Sequence, residues 1–152
     1  METTIADDAF GSLTWDGELH VWRGASQLPD NTPFELCIET VSYLTNVPPF
    51  DDATWDRTIT DESRRAFARV LAAESGIRAA IATDLMPDYS PWNNGEAADS
   101  GDISKRLGLE RITLLPQGEV QIQYDDGDMF GGHDVVGHLD VDGHVTRVEL
   151  FG

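Results

Sequence analysis

The chain has 152 residues, with 28 acidic side chains against 10 basic ones and a formal net charge of −18. A field of that sign repels phosphate backbones and anionic bilayers, which argues against nucleic acid and membranes as partners and favours a protein partner with a basic surface. Hydrophobic residues make up 40% of the sequence, enough for one ordinary core, so a single domain over 1–152 is expected, with no cofactor or structural metal to hold it.

Cys37 is the single cysteine, which excludes an internal disulfide and suits a reducing compartment. The opening residues lack the basic and apolar regions of a secretory signal, and no apolar run is long enough to span a bilayer, so a cytoplasmic protein is expected.

Strand signals come first along the chain. Gly11 to Trp15 and Glu18 to Trp22 flank Asp16-Gly17, a pair suited to a tight hairpin turn. Phe34, Leu36, Ile38 and Thr40 alternate with Glu35, Cys37 and Glu39, which predicts a strand with Cys37 partly exposed between two acids. Pro48-Pro49 and Asp51-Asp52 mark a connection within Asn46 to Trp55. Thr60-Asp61-Glu62 then reads as a helix start, Thr60 capping free N–H groups and the acids complementing the positive helix end.

Phe67, Val70 and Leu71 share one helical face, and Ile77, Ala80, Ile81 and Leu85 form a second stripe. Gly76 between them predicts an end or bend, and Pro87 a stop. Pro87 to Asp102 lacks apolar periodicity and reads as a long surface loop carrying Trp92. Arg111 to Leu115 and Glu119 to Tyr124 around Pro116-Gln117-Gly118, then Asp134 to Asp140 and His144 to Phe151 around Asp142-Gly143, are strand hairpins. The expected fold is therefore α+β, an antiparallel sheet from the N-terminal and C-terminal hairpins packed against a central helical pair, with Phe67, Val70, Ile81, Leu85, Val120 and Ile122 buried.

Tyr124 to His133 is the stretch richest in chemistry. Asp125, Asp126 and Asp128 offer carboxylates for a hard cation, but Phe130 takes the next ligand position of a calcium loop and no distant Glu follows. His133 and His138 differ by an odd number, which argues against a shared metal. No Ser sits in a nucleophile elbow, no phosphate loop is present, and Cys37 has no histidine in a catalytic motif, so no catalytic residue and no metal ligand is assigned. Gly127, Gly131 and Gly132, the apolar plug Phe130 and a hydrogen bond from His133 instead predict a shape-determining turn.

Tyr124-Asp125-Asp126-Gly127-Asp128-Met129-Phe130-Gly131-Gly132-His133, followed by Asp134-Val135-Val136 and Asp142-Gly143, resembles a group of small bacterial domains of unknown function. That group carries an acidic, aromatic D-x-F-x-G-H loop between terminal hairpins, and Phe10-Gly11-Ser12-Leu13 with Trp22 is similar as well. The resemblance makes Asp126, Asp128, Phe130, Gly132 and His133 signature positions without a chemical role. It implies one α+β unit and, for some members encoded beside toxins, service as candidate immunity proteins. The expectation is a protein-binding domain, an immunity-type inhibitor of a basic toxin or effector, with Asp51, Asp52, Asp84, Asp88, Trp92, Glu96 and Asp99 as candidate contacts. The alternatives are a metal-dependent hydrolytic enzyme built on Asp125, Asp126, Asp128 and His133, and a non-catalytic accessory domain.

Overall fold

The structure, a computed structural model, describes residues 3–44 and 52–152. Eight strands lie in one sheet in sequence order: β1 (Thr4–Asp7), β2 (Gly11–Asp16), β3 (Val21–Gln27), β4 (Pro33–Glu39), β5 (Gly108–Leu114), β6 (Val120–Asp125), β7 (Asp134–Leu139) and β8 (Val145–Phe151). Every pairing is antiparallel except β4 with β5, which is parallel. A parallel neighbour needs a crossover. Helices α1 (Asp61–Trp92) and α2 (Ser100–Arg106) supply it. The α+β class is as expected, with strands from both ends of the chain around a helical centre.

The period-2 pattern sets the two faces of the sheet. Across it, Trp15, Trp22, Ile38, Leu114, Val120 and Leu139 fall in one register row, and Leu13, Gly24, Leu36, Ile112, Ile122 and Gly137 in the next. These rows face α1, whose Phe67, Val70, Glu74, Ile77, Ile81, Leu85 and Tyr89 are buried at spacings of three and four. The six residues expected in the core are all buried. Burying a side chain such as Ile81 contributes roughly 2 kcal/mol. The opposite face of the sheet carries Arg23, Glu35, Arg111, Gln121, Gln123, His138 and Glu149, and no element covers it among the described residues.

Gly137 sets how closely α1 approaches. A Cβ there would lie 2.6 Å from Ile81 Cδ1 and 3.3 Å from Ile122 Cγ2, and both of those residues are fully buried. Gly137→Ala is expected to destabilise by about 2 kcal/mol through overpacking, although alanine is the better residue by backbone entropy. Adding Ile81→Val should recover part of the loss, as read by urea unfolding.

The central helical pair is present as expected, but the chain divides it at a different place. Instead of two helices divided at Gly76 and ended before Pro87, α1 is continuous through Gly76, Pro87 and Pro91. Gly76 has open space around it and costs about 1 kcal/mol relative to alanine. Past Pro87, the burial of Tyr89 and the Asn93 cap hold the last turns: Asn93 Nδ2 donates to Tyr89 O at 2.7 Å and its backbone N to Ser90 O at 3.1 Å. The segment read as one long loop, Pro87 to Asp102, thus contains the end of α1 and the first turn of α2, whose N-terminus Asp99 and Asp102 close with a capping box. Thr60 caps α1 as expected, its Oγ1 accepting from Ser63 N at 3.1 Å.

The first hairpin is also wider than a two-residue Asp16-Gly17 turn. Trp15 pairs with Trp22 and Asp16 with Val21, so residues 17–20 form the connection and both tryptophans reach the core face. Asp16 Oδ1 accepts from Glu18 N and Leu19 N, both at 3.0 Å, and His20 has φ +56°. Cys37 is buried rather than partly exposed. Burial, and then Glu35, push its thiol pKa up.

Strand β1 was not foreseen, and its turn is fastened to α1. Arg64 donates from Nη1 to Asp7 Oδ1 at 3.1 Å and from Nη2 to Asp7 Oδ2 at 2.8 Å. The Arg64 bond holds the Asp7 carboxyl below its ordinary value of 3.8 against the opposing effect of burial. A folded-state pKa below the unfolded one adds stability that is complete above the unfolded value and lost as pH falls through the folded value. Asp7→Asn should therefore cost about 1 kcal/mol at neutral pH. That difference should vanish in acid well below 3.8, where Asp7 is protonated in both states; unfolding curves at several pH values measure it.

Candidate functional site

The loop between β6 and β7 is built around one buried acid. Asp126 is 1% exposed; its Oδ1 accepts from Asp128 N at 2.9 Å, and its Oδ2 accepts from Phe130 N and Gly132 N, each at 2.9 Å. Charge-assisted bonds to backbone amides are strong, and three of them fix the path of the chain through seven residues. Gly127, Asp128, Gly131 and Gly132 all have positive φ, which the tight winding requires. Met129 and Phe130 are fully buried beneath the loop, with Phe130 edge-on to Tyr89.

Both helices clamp this loop from outside. Arg106 Nη2 donates to Gly127 O at 2.6 Å, and Asn93 Nδ2 donates to Met129 O at 2.8 Å. Trp92 lies across Gly131, where a Cβ would come within 2.9 Å of its Cζ3, and its ring centroid is 5.1 Å from that of His133. Glycine at 131 is thus needed for space as well as for backbone angle. His133 Nδ1 lies 2.6 Å from Phe130 O; a carbonyl only accepts, so this nitrogen carries the proton. His133→Ala should lower stability by about 1 kcal/mol, the loss of one half-buried hydrogen bond, as read by thermal unfolding.

Asp125, Asp126, Asp128 and His133 do not converge on a common point. Asp126 is sealed by amides, Asp125 and Asp128 are exposed, and Asp125 Oδ2 accepts from Gly127 N. Among the described residues, the one His/Asp group with ligand atoms all within 4.8 Å of one another is Asp140, Asp142 and His144. Those residues shape the β7–β8 turn, Asp140 Oδ1 accepting from Asp142 N and His144 N. His138 is separate, on the open face of the sheet, with Nε2 3.1 Å from Glu149 and 3.3 Å from Arg147.

The candidate contacts divide between the two ends of the sheet. Trp92 is 49% exposed although its ring is held by the loop, and Asp84, Asp88, Glu96 and Asp99 are exposed on the same helical end of the molecule. None of these four acids makes an ion pair with a described residue. Asp99 is nonetheless occupied as the α2 cap. Asp52 lies at the other end, where α1 begins, and is engaged within the fold. It accepts from Trp15 Nε1 at 2.8 Å, lies 3.0 Å from His20 Nδ1, and pairs with Arg57 at 3.3 Å. The Trp15 bond, with His20 and Arg57, holds its carboxyl below the usual range. Asp51 lies outside the described residues.

Two further polar clusters escaped the sequence reading. On the open sheet face Glu35 accepts from Arg23 and Arg111 together. Burial raises its pKa, but the two guanidiniums outweigh that and leave it lowered. In the core, Glu74 Oε1 accepts from Tyr124 Oη at 2.9 Å and from Arg78 Nε and Nη2 at 2.9 and 2.7 Å. Burial, and then Glu74, push the Tyr124 phenol far above its ordinary pKa. The signal was available, because Glu74 falls on the apolar stripe between Val70 and Ile77, with Arg78 four residues on.

Among the described residues, no helix is long and apolar enough to cross a membrane. No curated protein and no solved structure matches the chain. A bacterial family does match, and it spans residues 7–150, from the end of β1 nearly to the end of β8. The chain belongs to that family, DUF2262, described as an uncharacterised protein conserved in bacteria.

Proposed function

We propose that this protein is a non-catalytic, acidic partner-binding domain of the cytoplasm, an immunity-type inhibitor that occludes a basic bacterial toxin or effector. The observation that carries the reading is Trp92, half-exposed yet fixed over Gly131 and beside His133 at the end of α1, with Asp84, Asp88 and Glu96 exposed nearby in sequence and without an ion pair to any described residue. A large aromatic side chain that is already ordered loses little entropy on binding and makes an efficient anchor. Acids around it steer a basic partner and select against acidic ones. The net charge of −18 acts in the same direction over a longer range. An inhibitor needs complementary shape and charge and no reaction centre, which agrees with the dispersal of the acidic loop's side chains and with the resemblance to domains encoded beside toxins.

The test is growth rescue. The protein encoded next to this gene in its own genome is expressed in a bacterial host, alone and with this chain. Growth arrest relieved by the wild-type chain, but not by a folded Trp92→Ala/Asp88→Asn variant, is expected. A neighbour that is harmless, or rescue that ignores both substitutions, removes the reading.

A further inference from the structure

A cavity of about 260 Å³ opens between the β3–β4 turn and the middle of α1. It is lined by Leu28 and Pro29 from the turn and by Leu71 and Ala72 from the helix, together with the buried Glu74 and the exposed Asp30. It is far along α1 from Trp92, so nothing about it rests on the partner surface proposed above.

Glu74 is an unusual carboxylate to find there. It is 7% exposed, and all three of its donors, two from Arg78 and one from Tyr124, converge on Oε1. Its Oε2 accepts from no described residue. That oxygen is not sealed either, since Arg69 Nε is the sole fully enclosed polar side-chain atom without a partner among the described residues. A buried carboxylate with one saturated oxygen and one vacant, solvent-reached oxygen is poised to accept a further donor. Two acids against the one guanidinium of Arg78 leave the site with a surplus negative charge.

We propose that this cavity binds a primary ammonium group on an apolar stem, the chemistry of a lysine side chain, with the ammonium on Glu74 Oε2 and the methylenes between Leu28 and Leu71. A compact ammonium suits one open oxygen, whereas a guanidinium delivers a planar fork that wants two. Arg78 already brings one guanidinium to this carboxylate, with both of its bonds on Oε1. The apolar walls take the methylene stem, as apolar surfaces take those of snorkelling lysines.

The experiment is a titration of the full ¹⁵N-labelled chain with N-acetyl-lysine methylamide, followed by amide shifts, with N-acetyl-norleucine methylamide as the uncharged counterpart. Saturable shifts confined to the backbone around Leu28–Asp30 and Leu71–Ser75 are expected, with a dissociation constant on the order of 1 mM for so small a ligand. The norleucine compound should bind about tenfold more weakly or not at all, the loss of one charge-assisted bond. Glu74→Gln should weaken lysine binding by a similar factor. Because Glu74→Gln also touches the core, Ala72→Trp serves as a second variant: residue 72 is exposed, and a large ring there blocks the cavity mouth without disturbing Tyr124 or Arg78. No saturable shifts, equal binding of the norleucine compound, or unchanged binding to Ala72→Trp would each overturn the proposal.

Discussion

Asp126→Ala is expected to lower stability by about 4 kcal/mol, among the largest effects of any single substitution in this protein. Three amide donors, from Asp128, Phe130 and Gly132, lose their acceptor at once. Asp126 is 1% exposed, and Phe130 N is itself buried, so water cannot simply replace the carboxylate. Three bonds to a charged group would sum to more, but they share one side chain and are not additive, and the loop can relax. Asp126→Asn keeps one carbonyl acceptor and should cost about half as much. Because the loop supports Trp92, the Ala variant should also lose the order of that ring. Urea unfolding gives the stability, and tryptophan fluorescence anisotropy reports the ring. A loss below about 1 kcal/mol for Asp126→Ala would mean that glycine geometry and helix contacts hold the loop without the carboxylate.

The second large effect is expected at Glu74. Glu74→Leu leaves the Tyr124 hydroxyl and most of the Arg78 guanidinium buried without an acceptor; the side chains of Glu74 and Arg78 are 8% and 22% exposed. Breaking a buried pair from one side costs about 3–5 kcal/mol, and the partial exposure of Arg78 favours the lower end. Removing the whole network is a different matter. Glu74→Leu combined with Arg78→Leu and Tyr124→Phe restores an apolar interior and should regain most of the loss, because no polar group is then left desolvated without a partner. Unfolding curves of the single and triple variants test this directly. Triple-variant stability no better than that of Glu74→Leu would show that the network contributes more than mutual satisfaction.

The strands were the most legible part of the sequence. Alternation in Phe34–Ile38 and in Val120–Tyr124 reports which face meets α1, and that face is set by period alone. Thr60 was legible for the same local reason, since a cap is a short-range bond. Pro87 misled because a missing N–H is a local cost, while the benefit that outweighs it, the burial of Tyr89 against Phe130, comes from a loop far along the chain. The Asp16-Gly17 turn misled similarly. Local preference favours two residues there, but the pairing of Trp15 with Trp22 requires the longer connection. In the acidic loop, composition marked the right stretch yet could not single out Asp126 from its neighbours. Three aspartates in a row of four look alike until burial distinguishes the one that faces inward. Strand β1 is short and polar and gains its place from pairing with β2 and from the Arg64 tie, neither of which has a signature in its own four residues.

The strand order bears on how the chain assembles. All seven pairings of the sheet join strands consecutive in sequence, and six of them do so through short connections. Each of those closes a small loop at little entropic expense. The parallel pairing of β4 with β5 alone must wait for residues 40–107 to be gathered. The sheet is thus two local meanders, β1–β4 and β5–β8, meeting along a single seam. The cost of long-range order is concentrated at that seam, in four residue pairs from Glu35↔Arg111 to Ile38↔Leu114. One of them, Glu35 with Arg111, is an ion pair bound through two nitrogens, so opposite charges hold the join at the first step of its register.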